Sequence, residues 1–392
     1  MKFEISNLRL RRTPARRLLP TAFCLLLSAF CLPPSARAAW SKQRSGSFAW
    51  LHSVFFVGGR RGWAVGGKGA LLQTADGGEH WEARRPPTED ALEDIFFTDE
   101  RTGWVVCVRS AYAPMKKDEA RSYLLRTTDG GETWSRVDVT GAGEDLLQLA
   151  RVRFADPARG WVFGEEGALY ATSDGGATWA RLRVPTRHLL LGASLLDAQL
   201  GWLVGAGPTL LQTSDGGVTW REGQVVGLPA QFSVPPPAQS TQTPAQPTQT
   251  SPQTVPASAR PVKASTGQTQ APARQSQATS APLRLNAVSF ADARHGWAVG
   301  AGGAVLATAD GGRTWRAQAS GTDSDLFDVK FFDAREGWAV GGDGMAIHTT
   351  DGGATWRAEA TGTTHALERL FFAGRTRGWA VGFGGTIIAF RE

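Results

Sequence analysis

The residues of this chain whose types and spacing most suggest chemistry are six aspartates. Asp76, Asp129, Asp174, Asp215, Asp310 and Asp351 each stand in the motif Thr-x-Asp-Gly-Gly-x-x-Trp, closed by Trp81, Trp134, Trp179, Trp220, Trp315 and Trp356. A carboxylate could act as a general acid, a nucleophile or a metal ligand. The pattern argues against each of these. Asp followed by two glycines lacks the successive oxygen ligands of a calcium loop, and carboxylates dealt out one per repeat do not converge on one reacting centre. The same residue types do make a turn. Asp accepts hydrogen bonds from nearby amides, the glycines admit left-handed conformations, and the indole covers the hairpin. The motif is therefore assigned a structural role, and no catalytic, cofactor-binding or metal-binding residue is expected. The six histidines are scattered without metal-ligand spacing, and there is neither a nucleophile elbow nor a phosphate loop.

Two groups of cations suggest binding instead. Arg109, Tyr112, Lys116, Lys117 and Arg121 cluster in a stretch suited to an acidic or membrane-proximal partner. Arg60, Arg61, Arg101, Arg159, Arg294, Arg335 and Arg377 recur just before Gly-Trp pairs. A position repeated in this way more often has a repeated structural task than a docking one.

The elements that position these residues follow from the tryptophans. Gly-Trp pairs fall at Trp63, Trp104, Trp161, Trp202, Trp297, Trp338 and Trp379, with spacings of 41, 57, 41, 95, 41 and 41. A regular repeat splits into two fixed intervals, from the Gly-Trp to the motif Trp as in Trp63 to Trp81, and on to the next Gly-Trp as in Trp81 to Trp104. Short apolar runs rich in aromatic and β-branched residues alternate with Gly-rich turns, which is the strand signature. In one repeat they predict strands over 326–332, 338–341, 345–349 and 356–359. Four strands per repeat make a propeller blade, and 47 glycines argue against helix. The expected fold is all-β, a seven-bladed propeller. The chain ends before a seventh Asp motif, but Trp40 precedes Trp63 by the same interval that separates Trp81 from Trp104, which is the phase of a motif Trp. The N-terminal strand should therefore complete the last blade and close the ring.

The departures from the regular spacing locate the insertions. Extra residues fall around 109–120 and 141–144, and the stretch from Pro229 to Pro282 is rich in Pro, Gln, Ser and Thr with no acid. That stretch is expected to be a disordered linker inside one ring. Loop-closure cost rises by only about 0.6 kcal/mol per doubling of length. Both large insertions should emerge on the face carrying the strand two-to-three turns. The expected organisation is a leader over 1–38, propeller over 39–228, linker over 229–282 and the rest of the same propeller over 283–392.

The leader explains the overall charge. Its five arginines from Arg9 to Arg17, an apolar run from Leu18 to Leu32 and Ala36-Arg37-Ala38 read as a signal peptide rather than a membrane anchor, because the run is short and holds Pro20. The remaining residues hold 35 basic and 35 acidic side chains, so the chain's net charge of +6 gives no reason to expect nucleic acid. Cys107 alone remains beyond the leader, so no internal disulfide is expected.

The Asp motif resembles the Asp-box, or BNR-like, repeat of sialidases, xyloglucanase-type glycosidases and sortilin-type receptors. Gly-Trp-Ala-Val-Gly (Gly337 to Gly341) leading into Thr349 to Trp356 more closely resembles the photosystem II stability and assembly factor family. That resemblance implies an exported, non-enzymatic factor that binds membrane-protein assembly intermediates, without cofactor or membrane span after cleavage, in the periplasm, the extracellular space or a thylakoid-lumen equivalent. A monomer is expected. The rival reading is a sialidase-like or xyloglucanase-like glycoside hydrolase or a carbohydrate-binding propeller. A sialidase would carry Phe-Arg-Ile-Pro, which is missing, and a Tyr nucleophile, for which only Tyr112, Tyr123 and Tyr170 are available.

Overall fold

The computed structural model describes residues 39–110, 120–139, 147–207, 209–227 and 283–392. The leader, the tip of the 109–120 insertion, the 141–144 insertion and the Pro229 to Pro282 segment lie outside these residues.

Strands pair antiparallel into seven sheets, and the inner strand of each sheet packs on the inner strands of its two neighbours, so that the sheets form a closed ring. This is the seven-bladed, all-β propeller expected from the tryptophan phase. A regular blade runs Leu326–Phe331, Gly337–Gly341, Ala346–Thr349 and Arg357–Ala358 from the channel outward. The inner strand is Leu51–Val57 in blade 1 and Leu367–Phe372 in blade 7.

Aromatic sandwiches join the blades. Trp297 of blade 5 stacks on Phe331 of blade 6 with centroids 3.5 Å apart, and Trp356 closes on the same ring edge-on at 5.7 Å. Trp202, Phe290 and Trp315 repeat the arrangement one junction earlier, at 3.5 and 5.7 Å. The glycine of the Gly-Trp pair makes room for the Phe. A Cβ on Gly337 would sit 2.6 Å from the Phe331 ring. Gly337→Ala should therefore push Phe331 out of its stack and cost about 1–3 kcal/mol. Urea denaturation would show this as a lower midpoint at unchanged slope.

The ring closes through the N-terminal strand. Ala39–Gln43 pairs antiparallel with Ile387–Arg391, with Trp40 opposite Phe390. Trp40 is 7% exposed and meets Phe372 at 6.0 Å and Trp338 at 5.6 Å, filling the place that a motif Trp fills in other blades.

One strand departs from the expected pattern. Gln224–Val226 runs parallel to Thr314–Gln318 and gives blade 5 a fifth strand. The outer strand of blade 4, Arg221–Glu222, simply continues onto the neighbouring blade, where the Gln224 amide reaches the Arg313 carbonyl at 2.9 Å. Gly223 permits the crossing, since a Cβ there would lie 2.7 Å from the Gly312 carbonyl. Gly227 then ends beside Gly303 and Ser320, at the strand two-to-three rim of blade 5. The chain resumes on that same rim, where the Arg284 carbonyl accepts the Ala301 amide at 2.9 Å.

Candidate partner-binding site

The six Asp motifs form turns with one repeated hydrogen-bond set, except that in the first copy the His80 ring takes the place of a Thr hydroxyl at Asp76. In the last copy the Thr349 hydroxyl donates to Asp351 Oδ1 at 2.8 Å and accepts the Gly353 amide at 2.9 Å. Asp351 also accepts the Thr355 amide at 2.8 Å and the Thr355 hydroxyl at 2.6 Å. Gly352 and Gly353 stand at φ 77° and 85°, the left-handed region that glycine enters without strain. The Thr355 hydroxyl, then the Thr355 amide and the Thr349 hydroxyl, hold Asp351 down to about 2. A carboxylate kept ionised and occupied by its own turn has no proton to give, so this geometry offers no general acid. Among the described residues no group of three His, Cys, Asp or Glu could hold a metal ion.

Of the five clustered partner candidates, Tyr112, Lys116 and Lys117 lie outside the described residues. Arg109 and Arg121 bridge the base of the insertion, the Arg109 amide donating to the Arg121 carbonyl at 2.9 Å. The Arg109 guanidinium donates to the Ala120 carbonyl at 3.0 Å and lies over Tyr123 at 5.5 Å. The arginines before the Gly-Trp pairs have local work as well. Arg61 donates to Gly130 at 3.0 Å and Arg377 to Gly59 at 3.2 Å, each reaching a carbonyl of a neighbouring blade's turn.

The channel brings together residues that were not singled out from the sequence. On the face of the Asp turns it widens into a cavity of about 680 Å³ lined by all seven inner strands. One wall is aromatic, with Phe55 lying 4.9 Å from Phe96 and 5.0 Å from Phe371. The other presents Arg153, Ser194, Ser289 and Lys330.

Among the described residues the inner strands have no further strand on their channel side, so their amides need other acceptors. The next blade's inner strand is tied by side chains. Asp94 accepts the Val152 amide at 3.0 Å, Asp328 accepts Leu370 at 2.9 Å, Ser194 accepts Phe290 at 3.1 Å and Ser289 accepts Phe331 at 3.0 Å. Asp94 is fully buried and also holds Ser53 at 2.8 Å and Arg153 at 2.5 Å. Arg369 pairs with Asp328 at 3.5 Å.

The arginines outnumber these two carboxylates. Burial, followed by repulsion from Arg369, pulls Arg151 down to about 10. Arg151 Nε and Arg369 Nε and Nη2 are buried and make no hydrogen bond to described protein atoms. Lys330 still touches water but is hemmed in by the ring, and that desolvation lowers its ammonium despite Asp328. A signal for this set did exist in the sequence. Asp94 follows Ser53, and Arg369 follows Asp328, by one full repeat, so charged side chains interrupt apolar inner strands in phase with the tryptophans.

Fold and turns together define a seven-bladed β-propeller built from repeats that pair a Gly-Trp strand with an Asp-Gly-Gly-x-x-Trp turn. Within that class the chain belongs to the photosynthesis system II assembly factor YCF48 family, whose model matches residues 85–187, 270–360 and 317–391. The resemblance seen in Gly337 to Trp356 is thereby upheld. A solved structure described as YCF48 bound to D1 peptide is 18% identical with a TM-score of 0.63, over 90% of this chain and 97% of that one. YCF48 from Cyanidioschyzon merolae is 21% identical with a TM-score of 0.60, over 90% and 99%. A GH74 enzyme from Niastella koreensis is 12% identical with a TM-score of 0.57, over 89% of this chain and 53% of that one. At these identities the structures speak for the fold alone. No curated protein matches the sequence.

Proposed function

We propose that this protein is a non-catalytic assembly factor, exported by its leader, whose channel holds a peptide carboxylate of a membrane-protein partner. The observation that carries this reading is the set of unpaired guanidinium donors on Arg369, which lines the cavity together with the aromatic wall, and on Arg151, whose charge interacts with that of Arg369. Buried cationic donors without partners favour an anion, and a carboxylate takes such donors in charge-assisted hydrogen bonds. The Phe55, Phe96 and Phe371 wall would receive an adjoining apolar side chain. Family membership and the D1 peptide named for a related structure support a polypeptide ligand.

Glycoside hydrolysis needs one carboxylic acid that is protonated near neutrality. Asp94 is the reverse. Burial alone would raise it, but the charges of Arg153, Arg151 and Arg369 and the Val152 amide overcome burial and hold it low.

Fluorescence anisotropy with a labelled D1 peptide tests the reading. The peptide with a free terminal carboxylate should bind at least about tenfold more tightly than its amidated form, and Arg151→Gln should remove that difference, as expected for one charge-assisted pair. Equal binding of the two peptides would overturn the carboxylate assignment.

A further inference from the structure

The opposite rim of the ring carries an unrelated feature. Phe48, Trp50 and Phe383 are 95, 47 and 51% exposed, and they are the only exposed aromatics among the large exposed hydrophobic residues described. All three lie at the seam between blades 7 and 1, where the amide of Gly385 binds the Ala49 carbonyl at 2.7 Å. Phe383 stands where other blades carry Gly67, Glu165, Ala206, Ala301 or Gly342, and Trp50 belongs to neither tryptophan series. The repeat does not require these rings, and burial does not explain them.

Their arrangement is specific. Trp50 and Phe383 have centroids 5.7 Å apart at 75°, His52 stands at 75° to Trp50 at 5.6 Å, and His365 stands at 88° to Phe383 at 5.7 Å. Two carboxylates border the rings. Trp50 Nε1 donates to Glu368 Oε1 at 3.1 Å, fixing the indole, and Glu93 lies 3.4 Å from His52. Aromatic faces are electronegative, and half-exposed rings beside carboxylates attract a cation.

We propose that this seam is a docking site for a Lys or Arg side chain carried by a basic segment of a partner polypeptide. The argument for that occupant is charge complementarity: aromatic faces and the Glu368 and Glu93 carboxylates share one patch. The site lies on the rim opposite the channel cavity and is independent of the carboxylate reading above.

The test uses the full chain and a labelled dodecapeptide of alternating Lys and Gly, with a Gln-for-Lys peptide as control. The Lys peptide should bind at least about tenfold more tightly than the Gln peptide, since the attraction is to the charge. Phe383→Ala and Glu368→Gln should each weaken it by about fivefold or more without lowering Tm, and Phe383→Trp should retain it. Because Phe383 is exposed, its variants are expected to fold, and the melting curve verifies this. Equal affinity for the two peptides, or for wild type and both weakening variants, overturns the proposal. Binding of phosphatidylcholine vesicles without binding of the peptide would assign the seam to a lipid headgroup, which also overturns it.

Discussion

Deleting Ala39 to Ser47 is expected to lower the melting temperature by about 5–10 °C and to make the protein self-associate. The deleted strand supplies Trp40, which lies against Trp338, Phe372 and Phe390 at centroid distances of 5.6, 6.0 and 5.4 Å. Losing a buried Trp side chain costs about 3–5 kcal/mol, a large share of a typical stability of about 5–15 kcal/mol. Removing the strand also frees the edge of Ile387–Arg391 along its whole paired register, from Ala39 opposite Arg391 to Gln43 opposite Ile387. An uncovered edge invites pairing between molecules. Trp40→Ala separates the two effects, because it keeps the strand's backbone bonds while emptying the sandwich. It should lower Tm nearly as far and leave the protein monodisperse in light scattering. A deletion with an unchanged melting curve would mean that blade 7 is stable with three strands.

The closure was legible because it is a matter of phase. Trp40 stands before Trp63 as Trp81 stands before Trp104, and the structure puts its indole on Phe372 where Trp356 meets Phe331. The blade strands were legible for the same reason, since a run such as Leu326–Phe331 is bounded by turn residues. Pairing partners are harder to read. Gln224–Val226 resembles any short strand, and only the proximity of Arg313 decides that it joins blade 5. The channel set was missed for a different reason. A charged residue in an alternating strand reads as a solvent-facing position, and Asp94, Arg151 and Arg369 look like that until the ring turns them toward one another. Their chemistry comes from convergence of separate repeats, which spacing within one repeat cannot display.

Asp94→Ala is the second substitution expected to have a large effect, about 3–5 kcal/mol, because it strands buried cations rather than removing a contact. Asp94 is fully buried and accepts from Ser53, the Val152 amide and Arg153, and its charge also offsets Arg151. Without it, the Val152 amide of blade 3 loses its acceptor on blade 2, and Arg151, Arg153 and Arg369 are left with Asp328 as the remaining carboxylate in the set. The pH dependence distinguishes charge from shape. Burial pushes the Asp94 carboxyl up, but Arg153, Arg151 and Arg369 outweigh it, so its folded value lies below the ordinary 3.8. A depressed folded value means that the unfolded chain binds the proton more readily, so the stabilisation is complete above the ordinary value and disappears as pH falls through the folded one. Urea denaturation of wild type and Asp94→Asn should therefore show a wide gap in stability at pH 7 that stays nearly constant down to about pH 5 and narrows in stronger acid. A gap of the same size at every pH would show that Asp94 acts through its hydrogen bonds alone and that its charge does not hold the arginines in the channel.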